Sequence, residues 1–149
     1  MKAFAVAILP LVLGVHPAQA ATYPTELQGI WVPQDEGPKV KRACDSFRKS
    51  GEHPDGMLIF EKTEMSAYGG YADYTDKNIS VKKIGPSRWK IADRHYHDGE
   101  GDDRPGMRTV RYEVVTEGDL LKIKDKYGVH RYTRCPQQSP VPQGEMPKD

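Results

Sequence analysis

Between Leu27 and Cys135, turn-forming residues cut the chain into short pieces at close intervals, and this punctuation constrains the fold more than any other feature. The pieces are 27–32 (LQGIWV), 57–62 after His53-Pro54-Asp55-Gly56, 64–68 and a short 71–74 on either side of Gly69-Gly70, and 79–83 before Gly85-Pro86. Then come 88–96, 107–116, 120–124 after Glu117-Gly118-Asp119, and 129–135. In 107–116, Val110, Tyr112 and Val114 alternate with polar neighbours, as residues on one face of a strand do. Only 38–49 departs from this pattern. There Val40, Ala43, Cys44 and Phe47 recur at i, i+3, i+4 and i+7, which predicts one short helix stopped by Gly51. The competing reading of 38–49 is an irregular loop pinned by Cys44.

This predicts an all-β domain: a single antiparallel meander of seven or eight strands with one short helix near 38–49. An open meander leaves two raw edges, and closure into a small barrel removes them. A two-sheet sandwich is the competing arrangement.

The chain's ends differ from this domain. Residues 1–20, MKAFAVAILPLVLGVHPAQA, begin with Lys2, run largely apolar over 3–15 and close on Ala18-Gln19-Ala20. That is the pattern of a cleaved export signal. The run is too short to span a bilayer, which takes about 20 apolar residues. The expected mature protein starts at Ala21, is periplasmic or secreted, and has its domain over 21–135. Residues 136–149 (PQQSPVPQGEMPKD) carry too little apolar surface to order themselves and are expected to form a disordered Pro-rich tail, or a segment that docks on a partner.

The whole chain has 22 basic and 21 acidic residues. The signal would remove one lysine and no acid, leaving a balance that gives no argument for nucleic acid or a membrane surface. No later apolar stretch is long enough to span a membrane.

Two cysteines remain, Cys44 and Cys135. In an exported protein a disulfide between them is the default. It would close a loop of about 90 residues, worth roughly 4–5 kcal/mol in the chain-entropy model.

The stretch LQGIWV resembles the Gly-x-Trp signature that opens the first strand of lipocalins and similar small bacterial barrels, among them the periplasmic inhibitors of secreted metalloproteases. Gly29 and Trp31 match it. The resemblance implies that Trp31 plugs one end of the barrel. It also implies that an arginine near the last strand, Arg131 or Arg134 in HRYTRC, packs over the indole. The other lipocalin signatures are not visible, and the inhibitors' short disulfide is replaced here by cysteines far apart in sequence.

Three groups of residues are candidate sites. RHYHDGEGDDRPG, 94–106, gathers His95, His97, Asp98, Glu100, Asp102 and Asp103. If 88–97 is one strand, Trp89, Ile91, Asp93, His95 and His97 share a face. His95 and His97, completed by His130 or a carboxylate, would then form a zinc site. The plainer reading, which we favour, is a strand end followed by a glycine-rich hairpin loop. Tyr68, Tyr71 and Tyr74 lie beside the glycine pair. They either contact a ligand at a barrel mouth or pack as ordinary hairpin residues.

No nucleophile elbow, phosphate loop or zinc-protease motif is present. The expectation is therefore a non-enzymatic binding module without a cofactor, recognising a protein partner in the manner of an inhibitor or a small apolar ligand. An inhibitor would use 21–26 or the 94–106 loop as its plug. The alternatives are a metal-binding envelope protein using His95 and His97, and a secreted factor acting on a host.

Overall fold

The computed structural model describes residues 21–69, 73–97 and 108–137. The expected signal at 1–20, the tail beyond 137, Tyr71 and the loop 98–107 lie outside the described residues.

Among these residues eight strands form one closed antiparallel barrel in sequence order: β1 (Gly29–Pro33), β2 (Met57–Phe60), β3 (Glu64–Tyr68), β4 (Tyr74–Gly85), β5 (Arg88–His97), β6 (Arg108–Glu117), β7 (Leu120–Asp125) and β8 (Gly128–Arg134). The barrel closes where β1 meets β8, with Trp31 opposite Arg134 and Pro33 opposite Tyr132. Closure gives β1 and β8, the two ends of the meander, a partner on each side.

Tyr74, the last residue of the expected piece 71–74, and the piece 79–83 belong to one long strand, β4, which spans Asn78 and Ile79 without a turn. A register shift against β5 falls between Asn78 and Ser80 and leaves Ile79 outside the ladder, 44% exposed. Such a bulge exchanges the faces. Asp76 and Asn78 are buried before it, whereas Val81 packs on the core after it.

The helical stripe is real. A 3-10 turn (Gln34–Lys39) leads into α1 (Val40–Ser50), and Gly51 ends the helix in a left-handed conformation with φ 73°. Val40, Ala43, Cys44 and Phe47 pack on Val32 and Met57, forming a second core outside the barrel. The Cys44–Cys135 disulfide, with Cα atoms 5.6 Å apart, ties this helix to the chain just beyond β8.

The main core fills the barrel interior around Trp31, Phe60, Trp89, Val114 and Leu121. In a meander, alternate turns lie at one end. The β2–β3, β4–β5 and β6–β7 turns therefore share an end, and the segment from Ala21 to Gln28 crosses it. Tyr23 N donates to Lys62 O in the β2–β3 turn at 2.8 Å. At the opposite end lie the β7–β8 turn, the last residues of β3, β5 and β7, and the first residues of β4, β6 and β8.

Candidate functional site

The closed end is built around Trp31, which is fully buried. Its Nε1 donates to Leu27 O at 2.7 Å. The Arg134 guanidinium lies 4.1 Å from the centroid of the indole ring. That guanidinium also donates from Nη1 to Gln28 O at 2.7 Å and from Nη2 to Glu26 O. Arg134 thus covers the plug and straps down the entering chain. Arg131 does not share this place: it is exposed, opposite Lys122 on the next strand. The signature glycine has a local cause too. Gly29 holds φ +130°, and a Cβ there would meet Arg134 Nη1 at 3.1 Å.

The segment proposed as an inhibitory plug is committed to this end. Tyr23 is 1% exposed and Leu27 is fully buried, both within the main core. An edge-on contact with Phe60, centroids 5.1 Å apart, fixes the Tyr23 ring. Within 21–26, Tyr23 therefore belongs to the barrel's floor, while Thr22, Thr25 and Glu26 stay exposed around it.

Above this floor lies a polar layer. Tyr23 Oη donates to Asp93 Oδ2 at 2.6 Å, and Tyr112 Oη donates to the same oxygen. Asp93 is fully buried. Burial pushes its carboxyl up to about 6; the two tyrosine hydrogen bonds hold it down in part, and nearby Asp76 adds to the rise. Burial likewise raises the Tyr23 and Tyr112 phenols well beyond their usual range, and the Asp93 charge adds to both.

The open end holds a cavity of about 680 Å³. Leu58, Met65, Val110 and Ile123 give it apolar walls. Tyr74, Tyr112 and Tyr132 contribute rings and hydroxyls. Burial, with Asp76 beside the one and Asp125 beside the other, pushes Tyr74 and Tyr132 up to about 12, so both remain neutral hydrogen-bonding groups. On the β4–β5 wall His95 Nδ1 lies 2.6 Å from Asp76 Oδ1. Burial raises the Asp76 carboxyl while the imidazole hydrogen bond opposes the rise. Tyr74 and His95 rings pack at 4.7 Å. Arg108, Lys126 and Tyr127 stand at the rim with His130.

The sequence-predicted site residues separate accordingly. Tyr74 faces the cavity; Tyr68 does not. Tyr68 stacks on His53 at 3.7 Å, with Phe47 on the far side of that imidazole, in the outer core under α1. Ordinary packing accounts for it. His95 and His130, distant in a flat meander, line one cavity because the sheet closes on itself. They are engaged elsewhere: His95 with Asp76, and His130 Nε2 with Asp125 Oδ1 at 3.4 Å. Among the described residues no three His, Cys, Asp or Glu side chains form a group that could hold a metal. The His97 side chain and the rest of the acidic stretch, 98–106, lie outside the described residues. Arg94 to His97 belongs to β5 and is not loop.

Asp76, Tyr112, Tyr132 and the Tyr23–Asp93 contact escaped the sequence reading. Alternation was the available signal, since Tyr74, Asp76 and Asn78 fall on one face of β4. Polar residues on an inward face do not announce themselves when inwardness is judged by apolar alternation.

No protein-family model matches this chain, and no curated protein or solved structure matches it significantly.

Proposed function

We propose that this chain is an exported, lipocalin-like binding barrel that holds a small, largely apolar molecule in its open end and performs no chemistry on it. The single observation that carries this reading is the cavity of about 680 Å³ with an apolar wall and a few convergent polar groups. Its volume falls within the usual span for small-molecule sites, about 300–1,000 Å³. The plugged end supports the reading, because a barrel sealed by Trp31 and Arg134 presents a cup and not a channel. The disulfide supports an oxidising, exported location. The burial of Tyr23 weighs against the inhibitor reading, which needs a free protruding segment.

Titration with N-phenyl-1-naphthylamine, a neutral dye that fluoresces in apolar surroundings, tests the proposal. Saturable binding at one dye per chain is expected. Val110→Trp, which fills the cavity from its β6 wall, should abolish it while thermal unfolding stays cooperative. If the wild-type protein shows no saturable binding, or the filled variant binds as well, the reading falls.

A further inference from the structure

We propose that the ligand of this cavity is an amphipathic anion, with its apolar body against Leu58, Met65 and Ile123 and its negative head at the rim between Arg108 and Lys126. This inference rests on the small-molecule reading above and names the chemistry of that molecule.

The argument is one of unpaired charge. Among the described residues two carboxylates, Asp76 and Asp125, line the cavity, and both are engaged. Asp76 Oδ1 is held by His95 Nδ1 at 2.6 Å. Asp125 Oδ1 accepts from Tyr127 N at 2.7 Å and Gly128 N at 3.1 Å, closing the β7–β8 turn, and lies 3.4 Å from His130 Nε2. The cations at the rim are different. Among the described residues no carboxylate lies within 4.0 Å of Arg108 or Lys126, although Asp76 feels the Arg108 charge. The two cations converge, because both line the same cavity beside the exposed Tyr127. Lys126 Nζ stands 4.6 Å from its ring centroid. Lys126 first, and Arg108 after it, hold the Tyr127 phenol below its usual range.

The polarity along the cavity sets the orientation. Leu58, Met65 and Ile123 are at most 8% exposed and form the inner wall. A molecule with an apolar end buries it there. Its polar end then comes to the rim, where a carboxylate or sulfonate meets two cations and displaces little hydrogen bonding. An ammonium head in the same place would face those cations, and the two carboxylates among the described lining residues are already occupied. A guanidinium and an ammonium beside one site favour an anion through charge-assisted hydrogen bonds.

Two dyes that share a ring system separate the claims: N-phenyl-1-naphthylamine, which is neutral, and 1-anilinonaphthalene-8-sulfonate, which adds one negative charge. The sulfonate should bind about ten-fold more tightly to the wild-type protein. The Arg108→Gln/Lys126→Gln double variant should lose that preference, so that the ratio of the two dyes' affinities falls to about one. Decanoate should displace the neutral dye better than decanol or decylammonium does. Equal affinity for the two dyes, a preference that survives the double variant, or stronger displacement by decylammonium would each overturn the anion proposal while leaving the binding barrel intact. Failure of both dyes to bind saturably would overturn the binding barrel itself, and this proposal with it.

Discussion

Tyr23 Oη and Asp93 Oδ2, seventy residues apart in sequence, meet at 2.6 Å inside the barrel. The contact joins the segment leading into β1 to the middle of β5. It turns an extended N-terminal segment into part of the core, because a buried carboxylate must be paired. The pairing also leaves a titratable group where burial resists its ionisation, and this has a measurable consequence.

Asp93 ionises near pH 6 in the folded protein, against a reference value of 3.8. The folded state therefore holds its proton more tightly than the unfolded chain. The stabilising contribution is fully present below pH 4 and is lost as the pH rises through 6. A shift of about two units corresponds to about 3 kcal/mol. Asp93→Asn keeps an acceptor for both tyrosines and cannot ionise. Relative to the wild type, the variant should gain about 3 kcal/mol of stability between pH 4 and pH 7. Urea unfolding of both proteins at the two pH values checks this. A constant difference would mean that Asp93 titrates normally.

Trp31 and Arg134 form one unit, and the two should not behave additively. Trp31→Ala removes the largest fully buried side chain and should cost about 3–5 kcal/mol. Arg134→Ala should cost about 1–3 kcal/mol, because it leaves two carbonyls, those of Gln28 and Glu26, without their donor. In the double variant the second change should cost less than it does alone. A double-mutant cycle on denaturant midpoints measures the coupling.

The sequence made the barrel legible for a specific reason. Turn residues such as Glu117-Gly118-Asp119 act locally, so strand ends could be read from a few neighbours. The Val40–Phe47 stripe was legible because helical periodicity persists even when the helix packs outside the main core. Gly29 and Trp31 could be placed through a short pattern. What could not be read depends on curvature. His95 and His130 share a cavity only because β8 returns to β1. Tyr68 lies outside because Met65 and Ala67 take the inner face of β3, whereas Tyr74 shares the inner face of β4 with Asp76. Alternation put Asp93 with Trp89 and Ile91, and Tyr112 with Val110 and Val114, but their meeting with Tyr23 could not be read because the partners arrive from distant segments.

The Cys44–Cys135 bridge closes a loop of 91 residues and fastens α1 over the seam between β1 and β8. Reduction should lower the unfolding free energy by roughly 4–5 kcal/mol in the chain-entropy model. Cys44→Ala/Cys135→Ala should reproduce the loss without reductant. Denaturant midpoints with and without dithiothreitol make the measurement. The wild type alone should respond to reductant, because no other cysteine is present.

Gly69 and Gly118 separate backbone strain from crowding. Both hold positive φ, +115° and +62°. At Gly118 a Cβ would meet nothing within 4 Å, so Gly118→Ala should cost only the strain of a left-handed alanine, about 1 kcal/mol. At Gly69 a Cβ would come within 2.5 Å of Asp55 Cα and 2.6 Å of Gly56 N. These are backbone atoms that cannot rotate away. Gly56 N also donates to Tyr68 O at 2.6 Å, so moving the 54–56 turn would break the hydrogen bond that seats it against β3. Gly69→Ala should therefore cost at least about twice as much as Gly118→Ala. Thermal or urea unfolding of the two variants side by side gives the comparison, and equal costs would mean that the 54–56 turn yields freely.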